Sequence, residues 1–214
     1  MEYHSQIGQD KYFIENINNG KRGGTFLDIG AHDGIFNSNT YALEKNLDWI
    51  GYCIEANPSM YKLLTKNRNC QCILGAAWSE NTKLTFEIPT REKSPNGKLF
   101  GSELGRIKGL SGNERYFQNW FEDTNTFEVD AFKISDKIPN ITHIDYLTLD
   151  VEGAELEVLK GLDLQNLNVS FMTIEHGNRP NQVKAITKFV SEYDYIVHRI
   201  NRFDIEFQKN ETGK

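Results

Sequence analysis

The sequence lacks several features that would identify a class of protein at once. It contains only three cysteines among 214 residues and no C-x-x-C pair, so a zinc cluster is not indicated. Cys53 and Cys72 lie in apolar stretches, and we expect them to be buried, reduced thiols, as in cytosolic proteins. Cysteine usage therefore favours a reducing, cytoplasmic location.

Basic charge and long apolar segments are also scarce. The formal net charge is −6, whereas proteins that bind nucleic acids usually carry a basic surplus, so nucleic acid is not favoured as a partner. No apolar run approaches the roughly 18 residues that would span a bilayer, and the first residues lack the pattern of a signal peptide. We expect a soluble protein without a membrane span.

What the chain does contain is an alternation of apolar, strand-like stretches with helix-like ones. The strand-like stretches are TFLDIG, WIGYCIEA, CQCILGAAW, KLTFEI, TFEVDAF, IDYLTLDV, VSFMTIEHG, YIVHRI and DIEFQ. Because a strand covered on both faces needs apolar residues on both, the pattern predicts an α/β domain with a mostly parallel sheet and helices on both faces. The last two stretches predict a closing hairpin. We expect one domain over residues 1–214.

Three further segments complete the expected organisation. Helical spacing predicts an amino-terminal helix over about residues 8–18. The stretch NSNTYALEKN predicts a helix that Asn37 or Ser38 caps. The polar, glycine-rich stretch over about residues 89–124 is an insertion, and loops of that length are usually functional or disordered. We favour a lid over the site.

The corner after the first strand is the first candidate ligand site. Strand TFLDIG ends in Asp28 and Gly30, and Asp33 and Gly34 follow within four residues. The dinucleotide pattern G-x-G-x-x-G needs its second glycine for close approach of a pyrophosphate, and His32 stands at that position. The corner therefore disfavours a phosphate and suits a ligand with ribose and adenine, above all one that carries positive charge.

Carboxylates end three of the later strands. Glu55 lies about 20 positions beyond Gly34, the spacing of a carboxylate that accepts hydrogen bonds from ribose hydroxyls. Two more strand ends carry polar groups, namely Asp150, Glu152, Glu175 and His176. Each could be an ordinary polar residue at a strand end, but their recurrence at one sheet edge favours a site.

At these residues the sequence resembles the FkbM family of S-adenosylmethionine-dependent methyltransferases. The stretches FLDIGAHDG, SNTYALEKNLDWIGYCIEANP, AAWSE and LTLDVEGAELEVLKGL follow that family's blocks in order. Two further stretches, SQIGQDKYFIENI and GSELGRIKGLSG, resemble a subgroup of it. The resemblance covers roughly residues 3 to 176, and DVEGAELEVLKG is its most specific part.

This resemblance implies a fold, a cofactor and a reaction. The fold would be the Rossmann-like class I methyltransferase fold with a seven-stranded sheet. The cofactor, S-adenosylmethionine, would place its methionine part at Asp28, Gly30, Ala31 and Asp33. Its ribose would lie at Glu55, and its adenine near Ala56, Asn57, Ala76 and Ala77. The reaction would be O-methylation of a hydroxyl on a sugar, a glycan or a small metabolite. The cofactor carries a sulfonium and an ammonium and has no phosphate, so an acidic corner suits it.

In this reaction a general base would remove the proton of the acceptor hydroxyl. The candidates are Asp150, Glu152, Glu175 and His176. Histidine has the most suitable ordinary pKa, near 6.5, but His176 could equally hydrogen-bond only backbone. Asp150 and Glu152 could instead bind a divalent cation, which we do not favour. The resemblance also suggests that Gln6, Gln9 or Asp10 closes over the cofactor or substrate.

Two other functions remain open at this point. A nicotinamide-dependent oxidoreductase would share the fold class, although the His32 corner counts against it. A non-catalytic interaction domain is the other alternative, which Glu55 and the DVEGAE stretch disfavour because both belong to a working site. Neither the identity of the acceptor nor the oligomeric state follows from the sequence.

Overall fold

Strands and helices follow the predicted alternation. The computed structural model describes residues 1–92, 105–110 and 121–210. Its strands are β1 (Thr25–Ile29), β2 (Ile50–Glu55), β3 (Gln71–Leu74), β4 (Ala76–Ala77), β5 (Thr82–Glu92), β6 (Arg106–Ile107), β7 (Phe121–Phe132), β8 (His143–Leu149), β9 (Asn168–Glu175), β10 (Tyr195–Ile200) and β11 (Asp204–Lys209). The helices are α1 (Gln9–Tyr12), α2 (Tyr41–Leu47), α3 (Pro58–Asn67), α4 (Ile134–Lys137), α5 (Glu155–Lys160) and α6 (Pro180–Ser191).

Seven of the described strands form the central sheet, in the order β10-β11-β9-β8-β1-β2-β3. The strand β11 runs antiparallel to both of its neighbours, and the other pairs are parallel. This sheet confirms the predicted mostly parallel α/β architecture and the closing hairpin. The two halves of the chain therefore meet at β1 and β8, whose carboxyl ends lie side by side.

Apolar side chains cover both faces of the central strand β1. Leu27 belongs to the buried cluster that contains Val158 of α5. Phe26, the residue before it, belongs to the cluster that contains Leu43 of α2 and Leu64 of α3. Successive residues of a strand point to opposite faces, so helices cover both faces as predicted. Burial of each such side chain contributes roughly 1.5–3 kcal/mol to folding.

A second, four-stranded sheet in the order β4-β7-β5-β6 lies beyond β3. The sequence predicted one strand for CQCILGAAW, but Gly75 divides it into β3 of the large sheet and β4 of the small one. Gly75 has a φ of +133°, and a Cβ there would stand 2.7 Å from the backbone oxygen of Asp130. Only glycine permits both that backbone conformation and that close approach, so the chain changes sheets at this residue.

The predicted insertion at residues 89–124 is partly built on the small sheet. The antiparallel strands β5 and β7 extend into it from either side, and β6 pairs with β5 through Phe86 and Ile107. Residues 93–104 and 111–120, which hold most of the expected lid, lie outside the described residues.

The helices near the amino terminus differ in detail from the prediction. The helix expected over residues 8–18 begins as α1 and continues as a π-helical turn, Phe13–Ile17. The helix expected to start at Asn37 or Ser38 begins only at Tyr41, because residues 31–40 form turns. The Ser38 hydroxyl still accepts the backbone N–H of Tyr41, at 3.1 Å. Within the described ranges, no helix is long and apolar enough to cross a membrane.

The cysteines lie on the neighbouring strands β2 and β3 and at the start of the latter. All three are free thiols. Cys53 is fully buried as predicted, but Cys72 is only half-buried, because β3 is the edge strand of the large sheet. Cys70 donates to the sulfur of Cys53 at 3.4 Å.

Candidate active site

A cavity of about 210 Å³ opens at the carboxyl ends of β1, β2, β8 and β9. Open parallel sheets bind their ligands at this edge. Of the predicted residues, it is lined by Gln6, Gln9, Asp28, Gly30, Ala31, Glu55, Ala56, Asn57, Ala76, Ala77, Asp150, Glu152 and Glu175. Asp10, Asp33 and His176 are not brought to its wall. In the part of the chain that the structure describes, no lysine or arginine lines it.

Gly30 forms the turn that follows β1. Its φ is +86°, and a Cβ at this position would stand 1.7 Å from the backbone oxygen of Asp150. The backbone N–H groups of Gly30 and Ala31 both donate to the carbonyl of Ile54, at 2.9 and 3.1 Å. The turn is therefore fixed between β2 and the end of β8, and glycine is needed there because the backbone of Asp150 leaves no room for a side chain.

Asp28, at the end of β1, is a buried carboxylate with defined partners. The Thr40 hydroxyl donates to its Oδ2 at 2.5 Å, and Nη1 of Arg68 lies 3.8 Å from the same oxygen. Burial raises the pKa of Asp28, and the Arg68 guanidinium and the Thr40 hydroxyl oppose that rise. The sequence did not single out Arg68, because one arginine at the end of a helix belongs to no recognisable pattern.

Asp33 supports the turn from outside the cavity. Its Oδ1 accepts the backbone N–H groups of Ile35 and Phe36, at 2.9 and 2.8 Å. Gly34, with a φ of +83°, permits the close approach of Leu64 of α3 and of Arg68, since a Cβ there would stand 2.7 Å from each side chain. The acid that sequence reasoning gave to the methionine part of a cofactor thus caps a turn in this structure.

Glu55, at the end of β2, is fixed by backbone donors on both of its oxygens. Its Oε2 accepts the N–H of His32 at 2.8 Å, and its Oε1 accepts the N–H of Asn57 at 2.6 Å. Burial raises the pKa of Glu55 to about 7, against the effect of these two donors. The two bonds hold the carboxylate at the cavity wall and tie it to the turn that follows Gly30.

Apolar residues form the cavity wall beside β3. Ala76 and Ala77 line this part as predicted, and each is buried. Phe86 of β5 and Ile107 of β6 complete it from the small sheet. The sequence did not identify these two residues, because their approach depends on the chain changing sheets at Gly75. A planar, apolar group such as an adenine would find contacts on this side.

Carboxylates crowd the opposite side of the cavity, at the ends of β8, β9 and β11. Asp150, Glu152 and Glu175 line it together with Asp204, which sequence reasoning missed. Asp150 is exposed to the cavity, yet its depth in the protein and the charges of Glu155 and Asp204 raise its pKa. Solvent that reaches Asp150 through the cavity screens part of this effect. Burial, followed by the charge of Asp150, raises the pKa of Glu175 well above its usual range.

Asp150 and Glu152 both line the cavity, although they lie two residues apart beyond the end of a strand. The strand β8 ends at Leu149, so the alternation of a regular strand does not extend to these two residues. Glu152 adopts a left-handed φ of +54° in the turn that follows. Both line the cavity because of this turn and not because of strand periodicity.

Glu155 anchors that turn from below, although the sequence did not mark it as a site residue. It is fully buried, and its Oε1 accepts the N–H of Gly153 at 2.9 Å. Gln182 donates to its Oε2, and Nη2 of Arg179 lies 3.6 Å from the same oxygen. Arg179 also lies 3.8 Å from Glu175, so one guanidinium faces two carboxylates. The third acid of the DVEGAE stretch therefore supports the turn that carries the first two.

His176 is held outside the cavity wall by the backbone. Its Nδ1 accepts the N–H of Asn178 at 3.1 Å, so its Nε2 carries the proton and faces the carbonyl of Asn201 at 3.4 Å. The residue is 5% exposed. These contacts correspond to the alternative in which the imidazole only hydrogen-bonds backbone groups.

The amino-terminal segment reaches the cavity with two of its three suggested residues. Gln9 is buried and donates to Oδ2 of Asp204 at 2.9 Å, and Gln6 lines the same opening. Asp10 instead accepts the backbone N–H of His4 at 2.6 Å and the hydroxyl of Ser5 at 2.5 Å. It thus shapes the segment from behind.

A metal site has no support in the described ranges. No group of three or more His, Cys, Asp or Glu side chains in them could hold a metal ion. Glu155 and Glu175 instead face the Arg179 guanidinium, and Glu155 also accepts a hydrogen bond from Gln182.

Sequence comparisons identify relatives of this chain. Residues 28–197 match the model of the methyltransferase FkbM domain. A curated relative from Beauveria bassiana (strain ARSEF 2860), described as "Methyltransferase 1", is 42% identical over 152 residues, which cover 64% of this chain and 57% of the relative. The predicted family is thereby confirmed.

Solved structures show the same fold at low sequence identity. A methyltransferase FkbM from Methylobacillus flagellatus KT has a TM-score of 0.53 and 15% identity, and the match covers 93% of this chain and 50% of that one. A TehB-like S-adenosylmethionine-dependent methyltransferase from Corynebacterium glutamicum has a TM-score of 0.50 and 9% identity over 95% and 89% of the two chains. The class I methyltransferase fold is thus confirmed. The chain spans about half the length of the curated relative and of the FkbM structure.

Proposed function

The chain belongs to the FkbM methyltransferase family, and on that premise we propose that it transfers a methyl group from S-adenosylmethionine to a hydroxyl of its acceptor. One observation carries the proposal. A single cavity joins the open turn at Gly30, the fixed carboxylate of Glu55 and a crowded set of acids, and the described residues give it no lysine or arginine.

The chemistry of this donor set fits the cofactor. Glu55 keeps an unshared electron pair for the ribose hydroxyls, because a carboxylate has about four lone-pair sites and its backbone donors do not occupy all of them. Ala76, Phe86 and Ile107 offer an apolar wall to the adenine. Asp28 offers negative charge to the ammonium of the cofactor. The backbone at Gly30 carries no positive charge, so the site does not require a phosphate on its ligand.

The bound cofactor would supply an electrophilic methyl group on its sulfonium. The task of the protein is then to orient the acceptor oxygen towards that methyl and to remove the proton of the hydroxyl. The residues of the turn hold the methionine part, and Glu55 holds the ribose. Because both supports are tied to neighbouring strands before any ligand binds, little reorganisation is needed on binding.

Asp150 is the residue that we assign as general base. It is exposed to the cavity, and its raised pKa makes the ionised carboxylate a better proton acceptor than an ordinary aspartate. Burial and the charge of Asp150 raise the pKa of the neighbouring Glu175 carboxyl well above its usual range, which favours the protonated form of Glu175 beside an ionised Asp150. Glu152 lines the same side and would orient acceptor hydroxyls. His176 is the less suited base, because its ring faces backbone groups.

The acceptor is proposed to be a polar, hydroxyl-rich molecule such as a sugar, a glycan or a small metabolite. The acceptor side of the cavity offers amide and carboxyl groups from Gln6, Asn37, Asn39 and Asp204, and Phe36 adds an exposed ring. Carboxylates accept hydrogen bonds from hydroxyls, and side-chain amides both accept and donate them. An aromatic ring provides an apolar face for the carbon skeleton of a sugar.

Mass spectrometry can test the proposal directly. The protein is incubated with S-adenosylmethionine that carries an isotope-labelled methyl group and with a panel of sugars, glycans and hydroxylated metabolites. We expect one acceptor class to gain a single labelled methyl group, on oxygen. Transfer to no member of any class, or transfer to nitrogen alone, would contradict the proposed reaction.

A further inference from the structure

Arg68 is a charged residue with no place in the reaction as described so far. It follows α3, its side chain has no exposed surface, and it does not line the cavity. A buried cation is costly unless partners compensate it, so its neighbours indicate its role.

The side-chain hydrogen-bond partners of Arg68 all belong to the segment between β1 and α2 or to α2 itself. Its Nε donates to Glu44 at 2.8 Å, and its Nη1 donates to the backbone oxygen of Gly34 at 3.2 Å. Its Nη2 donates to the Thr40 hydroxyl at 2.9 Å. The planar guanidinium therefore fixes three points of one segment at once, which a lysine could not do.

One of these contacts continues to the cavity. The Thr40 hydroxyl accepts a hydrogen bond from Arg68 and donates one to Oδ2 of Asp28, which lines the cavity. The guanidinium also lies 3.8 Å from that oxygen and so favours the charged carboxylate against burial. Two consecutive hydrogen bonds thus lead from the buried Arg68 through Thr40 to Asp28 at the cavity wall.

We propose that Arg68 is a positioning residue for the methionine part of the cofactor. Through Thr40 it fixes the position of the Asp28 side chain, and its charge favours the ionised carboxylate. This inference rests on the proposed function, because it assumes that Asp28 faces the ammonium of the cofactor. It separates the cavity into a part that depends on Arg68 and a part that does not. The second part contains Glu55 and the wall at Ala76, and in the described part of the chain neither forms a hydrogen bond with the guanidinium.

A pair of ligands can tell this role from a general support of the fold. S-adenosylhomocysteine carries adenosine and the amino-acid part, whereas 5′-methylthioadenosine carries the adenosine and the thioether alone. We expect Arg68→Met to weaken the binding of S-adenosylhomocysteine about tenfold or more, since a charged partner is lost. Its affinity for 5′-methylthioadenosine should stay within about twofold of the original. Calorimetry measures the stronger ligand, and a displacement titration measures the weaker one.

Three further variants keep the test decisive. Thr40→Val conserves size and removes the hydroxyl link, so it should show the same selectivity even if Arg68→Met does not fold. Arg68→Lys keeps the charge without the fork and should fall between Arg68→Met and the original protein. Arg22→Met removes an exposed arginine that pairs with Asp48, and it should change neither affinity.

The outcomes separate the inference from the proposed function. Equal weakening of both ligands, or no weakening of either in a folded Arg68→Met or Thr40→Val protein, would overturn the positioning role while the proposed function stands. If the original protein binds neither ligand, the proposed function fails and the inference fails with it.

Discussion

The two sides of the cavity treat negative charge in opposite ways. Beside β1 and β2, Glu55 receives a backbone donor on each oxygen, and Asp28 has a hydroxyl donor and a buried guanidinium nearby. Beside β8 and β9, Asp150 and Glu175 chiefly face other carboxylates. Arg179 lies 3.8 Å from Glu175 but is shared with Glu155, and Oε2 of Glu175 has no hydrogen-bond partner within 3.5 Å.

This difference fits the two roles that we propose, binding on one side and proton transfer on the other. A group that holds a ligand works best when its position and charge are fixed before the ligand arrives, as those of Asp28 and Glu55 are. A group that takes a proton works best when its two protonation states are close in free energy, and crowded carboxylates achieve this by raising one another's pKa. The predictions below each change one side and ask whether the other is affected.

The largest effect is expected from Gly30→Ala. The added Cβ would meet the backbone oxygen of Asp150 at 1.7 Å, and the residue would be strained at its φ of +86°. Because backbone must move on both sides of the cavity, we expect the free energy of unfolding to fall by about 3 kcal/mol or more. Chemical denaturation measures the change.

Gly20→Ala is the matched control for that change. Gly20 also has a positive φ, +69°, but a Cβ there would have no atom within 4 Å. It should therefore show the backbone strain alone, about 1 kcal/mol. Similar losses in the two variants would mean that the close contact between the turn and β8 is unimportant.

Glu55→Ala should weaken cofactor binding without slowing the transfer step at saturation. The lost hydrogen bonds to a charged group correspond to roughly 1.5–3 kcal/mol of binding free energy. Titration calorimetry with S-adenosylhomocysteine gives the dissociation constant, and Glu157→Ala, a change outside the cavity, provides the comparison. An unchanged dissociation constant in a folded Glu55→Ala protein would remove Glu55 from the site.

Asp150→Asn should slow the reaction without weakening cofactor binding. We expect turnover to fall at least tenfold, which corresponds to about 1.4 kcal/mol of barrier, while cofactor affinity stays nearly unchanged. The amide keeps the shape of the side chain and cannot accept the proton. Asp145→Asn, at the opposite end of β8, is the control and should leave turnover alone. If Asp150→Asn turns over normally while Glu152→Gln does not, the base is Glu152 instead.

The pH dependence of stability should reveal the raised pKa of Glu55. Its folded pKa, about 7, lies above the ordinary value of a glutamate, so this carboxyl contributes stability that is complete below about pH 4 and is lost as the pH rises through about 7. Glu55→Gln should therefore flatten the fall in unfolding free energy between about pH 5 and 7, by up to about 1.4 kcal/mol per pH unit.

Glu44→Gln is the control for this slope. The Arg68 guanidinium and its hydrogen bonds outweigh partial burial and lower the pKa of Glu44 to about 2. The stability from Glu44 is thus present at neutral pH and is lost only as the pH falls towards about 2. Its removal should leave the slope between about pH 5 and 7 unchanged, and an equal flattening by both variants would argue against the assignment to Glu55.

His176→Gln should have the smallest effect on the reaction. The ring bonds backbone groups outside the cavity wall, so turnover should stay within about twofold of the original, with a stability cost of about 1 kcal/mol. A tenfold loss of turnover in this variant would instead make His176 the leading candidate for the base.

The sequence predicted the parts of this molecule that depend on local pattern. A mostly parallel sheet with helices on both faces could be expected because apolar stretches alternate with helical ones. Glu55 could be placed at a strand end because its spacing from Gly34 follows from one strand–helix–strand unit. The change of sheet at Gly75 could not be predicted, since it depends on a contact with Asp130 far along the chain. Phe86 and Ile107 were missed for the same reason.

The supports of the site were also beyond the sequence. Asp33 and Asp28 stand five residues apart in one acidic corner, and only the structure separates the turn cap from the cavity residue. Arg68 and Glu155 act on backbone and side chains that folding brings to them, so neither spacing nor residue type marks them. Sequence reasoning finds the residues that face a ligand more readily than those that hold them.

Titration of the purified protein with S-adenosylhomocysteine and, separately, with NAD tests the central claim most directly. The account predicts saturable binding of S-adenosylhomocysteine and no binding of NAD, because the described residues at the cavity wall offer carboxylates and no lysine or arginine for a pyrophosphate. Binding of NAD with no response to S-adenosylhomocysteine would contradict it.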